Sequence, residues 1–503
     1  MDDAQLTQAL MRPAAYPHAA RDVQLVETHI SRVFLADGFA YKLRKPVHLD
    51  FVDFSSLAAR RQDCETELRL NRRLAPALYL GLSTVVRGDT MQAVRVDAAG
   101  EVLDYAVKMR TFPQQALFSA LLKSQQLLPA HIDTLALLVA DFHRAQPPAD
   151  RSAGFGTPAR IAHTLDVCLN GLQRLDNSAG LCQLGDTLRA LVTSLTPAFE
   201  SRLRHGRVRE CHGDLHLGNV VLLDDQVTPF DCLEFDPALR WIDTISDLAF
   251  PFVDLLNADR SDLAYRLLNV YLEQSGDYTG LAMLPFYASM RALVSARIVL
   301  ERAVQGPDAS EATLASARIA SREWLALAQR LTIPRTGALV LMHGLSGSGK
   351  STAAADLVEN SAMLRVRADV ERKRLRRHEP HHGNTGWYGP AETERTYRRL
   401  RAICRIGCLA GFPMIADASF LKRRHRDCFT ALAHRLDTQL SIVACEADLA
   451  TLRRRIEARA HLRSNVSDAD LAVLEQQRQT LEPLGADELA HVVKPPRNIG
   501  RAP

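Results

Sequence analysis

Apolar and polar residues change their spacing several times along the chain, and the changes divide it. Residues 22–48 alternate, as in "AYKLRK", with the period of half-buried strands. Residues 55–75 place apolar side chains three and four apart, which predicts a helix, and residues 82–109 return to strand-like runs. From about Thr111 helical spacing dominates as far as Gln329, closing with an Ala-rich helix from about Ser310 to Leu331. Pro334 and Gly337 break that helix, and an apolar strand, "ALVLMHG", begins. Beyond it short strands and helices alternate, the pattern of a parallel α/β sheet. A softer break falls in "RAQPPADRSAGFGTP", where Pro, Gly and Ser cluster. The best apolar stretch, "DLAFPFVDLL", is interrupted by Asp247 and Asp254, well short of the ~18 residues a membrane span needs.

Composition adds limits rather than a function. The 503 residues are 47% hydrophobic and 24% charged, which excludes a disordered or collagen-like chain. The acidic start, "MDDAQLTQAL", lacks the features of a signal peptide, so a cytoplasmic protein is expected. Nine scattered cysteines include no CxxC pair, which speaks against structural zinc and for reduced thiols. Cys404 and Cys408, four apart in a helical pattern, read as packing. The net charge of +4 is unevenly spread. From Gly337 onward 27 Lys and Arg stand against 19 Asp and Glu, while the preceding part carries 35 against 39. Polyanionic ligands are therefore expected in the last third.

That third opens with "GLSGSGKST", Gly344 to Thr352, between an apolar strand and the helix-forming run "TAAADLVEN". The spacing fits GxxxxGK[ST], and the strand–loop–helix context is what that motif requires. Glycines let backbone N–H groups turn inward around phosphate oxygens, and the helix directs its positive end at the same anion. Gly344, Ser346, Gly347, Ser348, Gly349, Lys350, Ser351 and Thr352 are the candidate phosphate-binding residues. Lys350 would reach the β- and γ-phosphates, and Ser351 would ligate magnesium. Asp417 ends the apolar strand "PMIADASF", a place suited to magnesium or its bound water. Asp369 follows the strand in "LRVRADVERKR" and is a candidate base for an acceptor hydroxyl, or a helix N-cap, or both. Arg455 and Arg459 lie one helical turn apart, able to close over phosphates or to form a solvated face. The following "SNVSDADLAVLEQQ", where Ser467 or Asp468 would cap a new helix, completes a helix–break–helix pattern like a lid.

A second constellation lies earlier. His212, Gly213, Asp214, His216 and Asn219 form HGDxHxxN, and Asp231 follows at the end of "QVTPFD". Phosphoryl transfer from ATP needs a positioned acceptor, metal ions on the phosphates and one proton acceptor. Asp214 can orient and deprotonate a hydroxyl. Asn219 and Asp231 offer the oxygen ligands that magnesium prefers.

These residues carry two family resemblances. The later part, about Gly337 to Val493, resembles the P-loop (AAA-type predicted kinase) group near polynucleotide, zeta-toxin-like and gluconate or chloramphenicol kinases. By that likeness Asp369 takes the acceptor proton, and Arg455 and Arg459 neutralise the transferred phosphate. The earlier part, about Val23 to Glu301, resembles the aminoglycoside-phosphotransferase family, similar in fold to protein kinases. The resemblance implies that "HGDLHLGN" is the catalytic loop, that Asp231 is the later metal ligand, and that Lys42 binds the α- and β-phosphates. It also implies that the helix "RRQDCETELRLNRRLAP" supplies the partner of Lys42, and backbone around Lys108 and Met109 as the adenine contact; Glu67 is preferred to Glu65 because Leu70 and Leu74 lie on its helical flank. The expected Gly-rich loop is missing from "ETHISRVFLADG"; Ser31 and backbone amides are candidates to replace it. Asp243 and Asp247 look like anchors of the lower lobe, and no acidic cluster for an aminoglycoside is visible.

The expected fold is multidomain, α/β and α+β. A protein-kinase-like bilobal domain covers 1–332, with its small lobe about 1–110 and large lobe about 111–332, and a P-loop kinase with a parallel sheet covers 337–503. The expected function is a cytosolic, ATP- and Mg2+-dependent phosphotransferase with two modules, each phosphorylating a hydroxyl of a small molecule. The alternative is one catalytic P-loop kinase beside a nucleotide-sensing N-terminal module. A nucleic-acid 5′-hydroxyl is the less favoured acceptor, because aromatic side chains for base stacking are few, with Trp387 and Tyr388 the nearby pair.

Overall fold

The structure is a computed structural model. It describes all residues except 29, 50–51, 89, 91–92, 306–309, 377–388, 461–470 and 495–503. Ser467, Asp468, Trp387 and Tyr388 lie outside the described residues. The chain groups into two compact units. One comprises Met1–Thr134, Phe142–Arg160 and Glu200–Pro251; the other comprises Leu135–Asp141, Ile161–Phe199 and Phe252–Pro503.

The first unit is built on a six-stranded antiparallel sheet. Its spatial order is Val23–Glu27, Ser31–Ala36, Phe39–Arg44, Val102–Arg110, Tyr79–Arg87 and Val94–Val96. Strand alternation sorts Phe39–Arg44 between two surroundings. Tyr41 and Leu43 enter an apolar cluster with Leu10, Tyr16, Phe34 and Val85. Lys42 and Arg44 instead meet carboxylates of the helix Leu57–Asn71. That helix starts at Ser56, whose hydroxyl accepts the Ala59 N–H at 3.1 Å, a standard N-cap. Two small antiparallel ribbons follow, Val208–Glu210 with Trp241–Asp243 and Val220–Leu223 with Gln226–Pro229. This is the kinase-like architecture expected for the N-terminal part.

The second unit holds the expected parallel sheet of five strands. Their order is Leu364–Arg367, Met414–Asp417, Ala338–His343, Gln439–Ala444 and Val492–Val493, each parallel to its neighbour. Val340, Met342, Ile415 and Val443 pack with Ala353, Ala354 and Val358 of the helix Lys350–Ser361. Parallel strands covered on both faces read as continuous apolar runs, which is why "ALVLM" and "MIA" were visible in the sequence. The helix Ser261–Ser275 and the helical pair Leu284–Gln305 and Glu311–Thr332 belong to this same unit. No helix among the described residues is long and apolar enough to cross a membrane. None of the nine cysteines forms a disulfide, and Cys404 and Cys408 are buried.

Candidate functional site

In the first unit the site grows from the strand Phe39–Arg44. Lys42 Nζ donates to Glu67 Oε1 at 2.8 Å and to Asp231 Oδ1 at 2.9 Å. Glu65 faces elsewhere and pairs with Arg61 at 2.8 Å. Burial opposes the charged Lys42, but Asp231 and Glu67 more than compensate and hold its pKa above the ordinary lysine range. Burial pushes the Glu67 carboxyl up to about 7, against the pull of Lys42 and Arg44. For Asp231, burial is outweighed by Lys42 and Arg44, and its pKa is lowered.

Arg44, two residues along the same strand, was not foreseen. It is 2% exposed. Its guanidinium donates to Asp63, to Glu234, to Glu67 Oε2 at 2.6 Å and to the Ser31 hydroxyl at 2.7 Å. The Ser31 hydroxyl is therefore buried under Arg44, and the expectation that it replaces a phosphate-covering loop is corrected. The i, i+2 spacing of Lys42 and Arg44 was the available signal, since both must leave the strand on one side.

The HGD segment is held from below. Asp247, fully buried, accepts the His212 N–H at 3.1 Å, the Gly213 N–H at 2.9 Å and a contact from His143 Nε2 at 3.0 Å. Its pKa is lowered: burial is overcome by His143, His212 and the Gly213 amide. Asp243 likewise takes a two-pronged Arg202, at 2.5 and 2.6 Å. His212 Nε2 lies 2.9 Å from the Phe230 carbonyl, tying the loop to the segment that delivers Asp231. Burial lowers the His212 pKa and favours its neutral form. Asp231 sits at φ +60°, its N–H donating to Tyr79 Oη at 3.2 Å. Asn219 Nδ2 donates to the Asp214 carbonyl at 2.9 Å, and at 3.3 Å to its carboxylate. His216 Nε2 is 3.6 Å from Asp214 Oδ2. Met109 lies one residue before the end of Val102–Arg110, in register with Ala40 and Tyr79. Lys108 Nζ stands 4.7 Å from the centre of the Phe39 ring.

In the second unit the loop after Ala338–His343 turns on three glycines with positive φ, Gly344, Gly347 and Gly349. Gly344 has the strictest need. At φ +139°, a Cβ there would stand 2.2 Å from the Cys445 carbonyl oxygen. Lys350 and Ser351 begin the helix, and Lys350 Nζ donates to the Leu345 carbonyl at 2.8 Å. Ser346 N–H donates to Gln477 Oε1 at 2.8 Å, a partner absent from the sequence expectation. Ser348 is buried, while Thr352 is exposed. A cleft of about 240 Å³ is lined by Ser346, Lys350, Ser351, Asp369 and Asp417 among others. Asp369 Oδ1 accepts from Arg372 at 2.9 Å. Arg455 Nη1 donates to the Gly347 carbonyl at 3.2 Å. Arg459 is on the same helix, Leu449–Ala460, and its side chain lies outside the described residues.

The donor sets fit magnesium in both places. Asp417 is 6% exposed, and its Oδ2 has no hydrogen-bond partner, as a carboxylate reserved for a cation would. Asn219 and Asp231 offer oxygen ligands suited to a hard cation. Arg44 fills the space among Asp63, Glu67 and Glu234, so that carboxylate cluster is already neutralised by protein.

A kinase-like fold together with a P-loop fold marks a kinase-type phosphotransferase. Residues 34–284 match the phosphotransferase enzyme family, and residues 339–484 match an AAA domain. The chain thus carries a domain of the phosphotransferase enzyme family followed by a P-loop kinase-like domain. It is 29% identical over 471 residues to uncharacterized proteins of Mycobacterium tuberculosis and Mycobacterium bovis, covering 91% of this chain and 90% of theirs. That span includes both domains. Among solved structures it is similar to a choline/ethanolamine kinase family protein of Mesorhizobium loti, with 13% identity and a TM-score of 0.36, covering 65% of this chain and 99% of that one. It is also similar to an aminoglycoside phosphotransferase of Alicyclobacillus acidocaldarius, with 16% identity and a TM-score of 0.34, covering 63% and 93%.

Proposed function

We propose that the chain is a cytoplasmic enzyme with two ATP- and magnesium-dependent phosphotransferase modules, 1–332 and 337–503, each acting on a hydroxyl of a small molecule. One observation carries the reading: each module brings together a cation for the ATP phosphates and carboxylates suited to magnesium. In the first these are Lys42 and Asp231; in the second, Lys350 and Asp417. In the N-terminal module Asp214 accepts the acceptor's proton as its oxygen bonds to the γ-phosphorus and ADP leaves. Lys42, steadied by Glu67, orients the α- and β-phosphates. Asn219 and Asp231 would hold magnesium, which neutralises charge on the phosphates. In the C-terminal module Asp369 takes the proton, Lys350 and the loop amides hold the donor, and Ser351 and Asp417 would hold the metal. Arg455 and Arg459 stabilise charge on the transferred group. The test is phosphate transfer into a metabolite extract by the wild type, Asp214→Asn and Lys350→Ala. Each variant should lose a different product.

A second reading makes the N-terminal module a nucleotide sensor. The turn between its first two strands contains no glycine, and the Ser31 hydroxyl is occupied by Arg44, which supports a weakened phosphate cover. ATP turnover that survives Asp231→Ala but not Lys350→Ala would favour it.

A further inference from the structure

The helix Pro390–Leu409 changes character along its length. Its acids, Glu392 and Glu394, lie in its first turns. Beyond them come Arg398, Arg401 and Arg405, three and four residues apart and therefore on one side of the helix. The helix Arg423–Arg435 brings Arg435 to the same place. These four arginines line a groove of about 430 Å³, whose remaining lining is Ala402 and Leu432. The groove shares no lining residue with the P-loop cleft.

Other arginines on the same two helices are paired. Arg395 meets Glu392 at 3.1 Å, Arg399 meets Glu371 at 3.1 Å, and Arg423 meets Asp487 at 2.6 Å. The side chains of the four groove arginines make no hydrogen bond or ion pair among the described residues. The nearby acids are engaged elsewhere: Asp427 lies 3.6 Å from Arg423, and Glu394 lies 3.4 Å from His425. Arg398, Arg405 and Arg435 are exposed and Arg401 is half-buried, which leaves their guanidinium groups open to a ligand. A helix C-terminus favours a cation such as Arg435, but Arg398 and Arg401 stand well inside their helix. Like charges three and four apart weaken a helix. A bound anion offsets that cost.

The lining selects the kind of anion. It offers guanidinium donors over apolar carbon, and no acceptor side chain for an N–H group. A ligand that brings only acceptors is matched; a peptide, with N–H groups of its own, is not. No aromatic side chain lines the groove, so nucleic-acid bases have nothing there to stack on. Guanidinium forks meet phosphate oxygens two at a time. At a rise of about 1.5 Å per residue, Arg398 and Arg405 stand about 10 Å apart along the helix, which a row of phosphates spans and a single one does not fill. The volume falls within the range of small-molecule pockets, about 300–1,000 Å³.

We propose that this groove is a binding site for an oligophosphate, a linear chain of three or more phosphates, either free or as the tail of a nucleotide. Arg398, Arg401 and Arg405 hold the chain along one helix, and Arg435 holds it from the other. The site is separate from both phosphoryl-transfer sites and does not depend on which of them is active.

The test is calorimetric titration of the full-length protein with inorganic tripolyphosphate in magnesium-free buffer, repeated with ATP, orthophosphate and a short DNA duplex. Arg401→Gln and Arg435→Gln, one on each helix, should each weaken tripolyphosphate binding at least about fivefold, the loss expected for a charge-assisted contact. The component lost in Arg401→Gln should persist in Lys350→Ala, which separates the groove from the phosphate-binding loop. Arg318→Gln removes the same charge from an exposed position on Glu311–Thr332 and should leave affinity within about twofold. In the Lys350→Ala protein, tighter binding of tripolyphosphate than of ATP assigns a free chain, and the reverse assigns a nucleotide tail; both support the site. Orthophosphate binding as tight as that of tripolyphosphate, equal losses in Arg318→Gln and Arg401→Gln, or no saturable oligophosphate binding would overturn the proposal. Duplex binding that requires Arg401 while neither oligophosphate binds would replace it with a nucleic-acid surface.

Discussion

Asp247→Asn gives a direct measure of how the HGD loop is held. The carboxylate receives three groups, the His212 and Gly213 amides at 3.1 and 2.9 Å and His143 Nε2 at 3.0 Å, with no solvent exposure. Asparagine keeps one acceptor oxygen and turns an NH2 group toward donors. Hydrogen bonds to a buried charge contribute about 1.5–3 kcal/mol each, and breaking a buried pair costs about 3–5 kcal/mol. One contact is retained, so about 3 kcal/mol is expected, which is roughly two decades in a local opening constant. Hydrogen exchange followed by mass spectrometry on peptides spanning 208–223 reads that opening. Exchange at His212 and Gly213 should accelerate about a hundredfold near neutral pH. The Asp247 pKa is lowered in the fold, so its contribution is complete above the unfolded carboxyl pKa and is lost as pH falls through the folded value. The stability gap between wild type and Asp247→Asn, measured by urea denaturation, should therefore narrow below about pH 4. Exchange within about threefold of wild type, or a gap that widens in acid, would refute the anchoring role.

Other outcomes follow from single contacts. Gly344→Ala must displace backbone near the Cys445 carbonyl, an overpacking strain of about 1–3 kcal/mol; nucleotide titration should show P-loop affinity reduced about tenfold or more, with Lys42-dependent binding intact. Arg44→Met leaves Asp63, Glu67 and Glu234 without their shared cation and should destabilise the first unit by about 3–5 kcal/mol in urea unfolding. Lys42→Met should depress phosphoryl transfer dependent on Asp214 without changing transfer dependent on Lys350, as separate product assays would show.

Legibility followed sequence distance. The loop from Gly344 to Ser351 and the HGD run were visible because their chemistry sits within a few consecutive residues, bounded by strand and helix signals. The spacing of helix Leu57–Asn71 pointed to Glu67 because its flanking leucines mark the buried side. The Arg44 cluster was not visible: Glu234 lies 190 positions away, and no local period links an inward arginine to a distant carboxylate. The Asn269 and Glu273 contacts with strand Leu364–Arg367 were hidden for the same reason, being 94 to 96 positions apart. The replacement role for Ser31 failed because its environment is set by Arg44, a neighbour in space on the adjoining strand rather than in sequence.

The central claim is that both sites transfer phosphate. Purified protein incubated with ATP, magnesium and a metabolite extract tests it most directly, with mass spectrometry counting phosphates gained. Two variant-specific losses are predicted, one in Asp214→Asn and a different one in Lys350→Ala. Product sets identical to wild type in both variants would contradict the account.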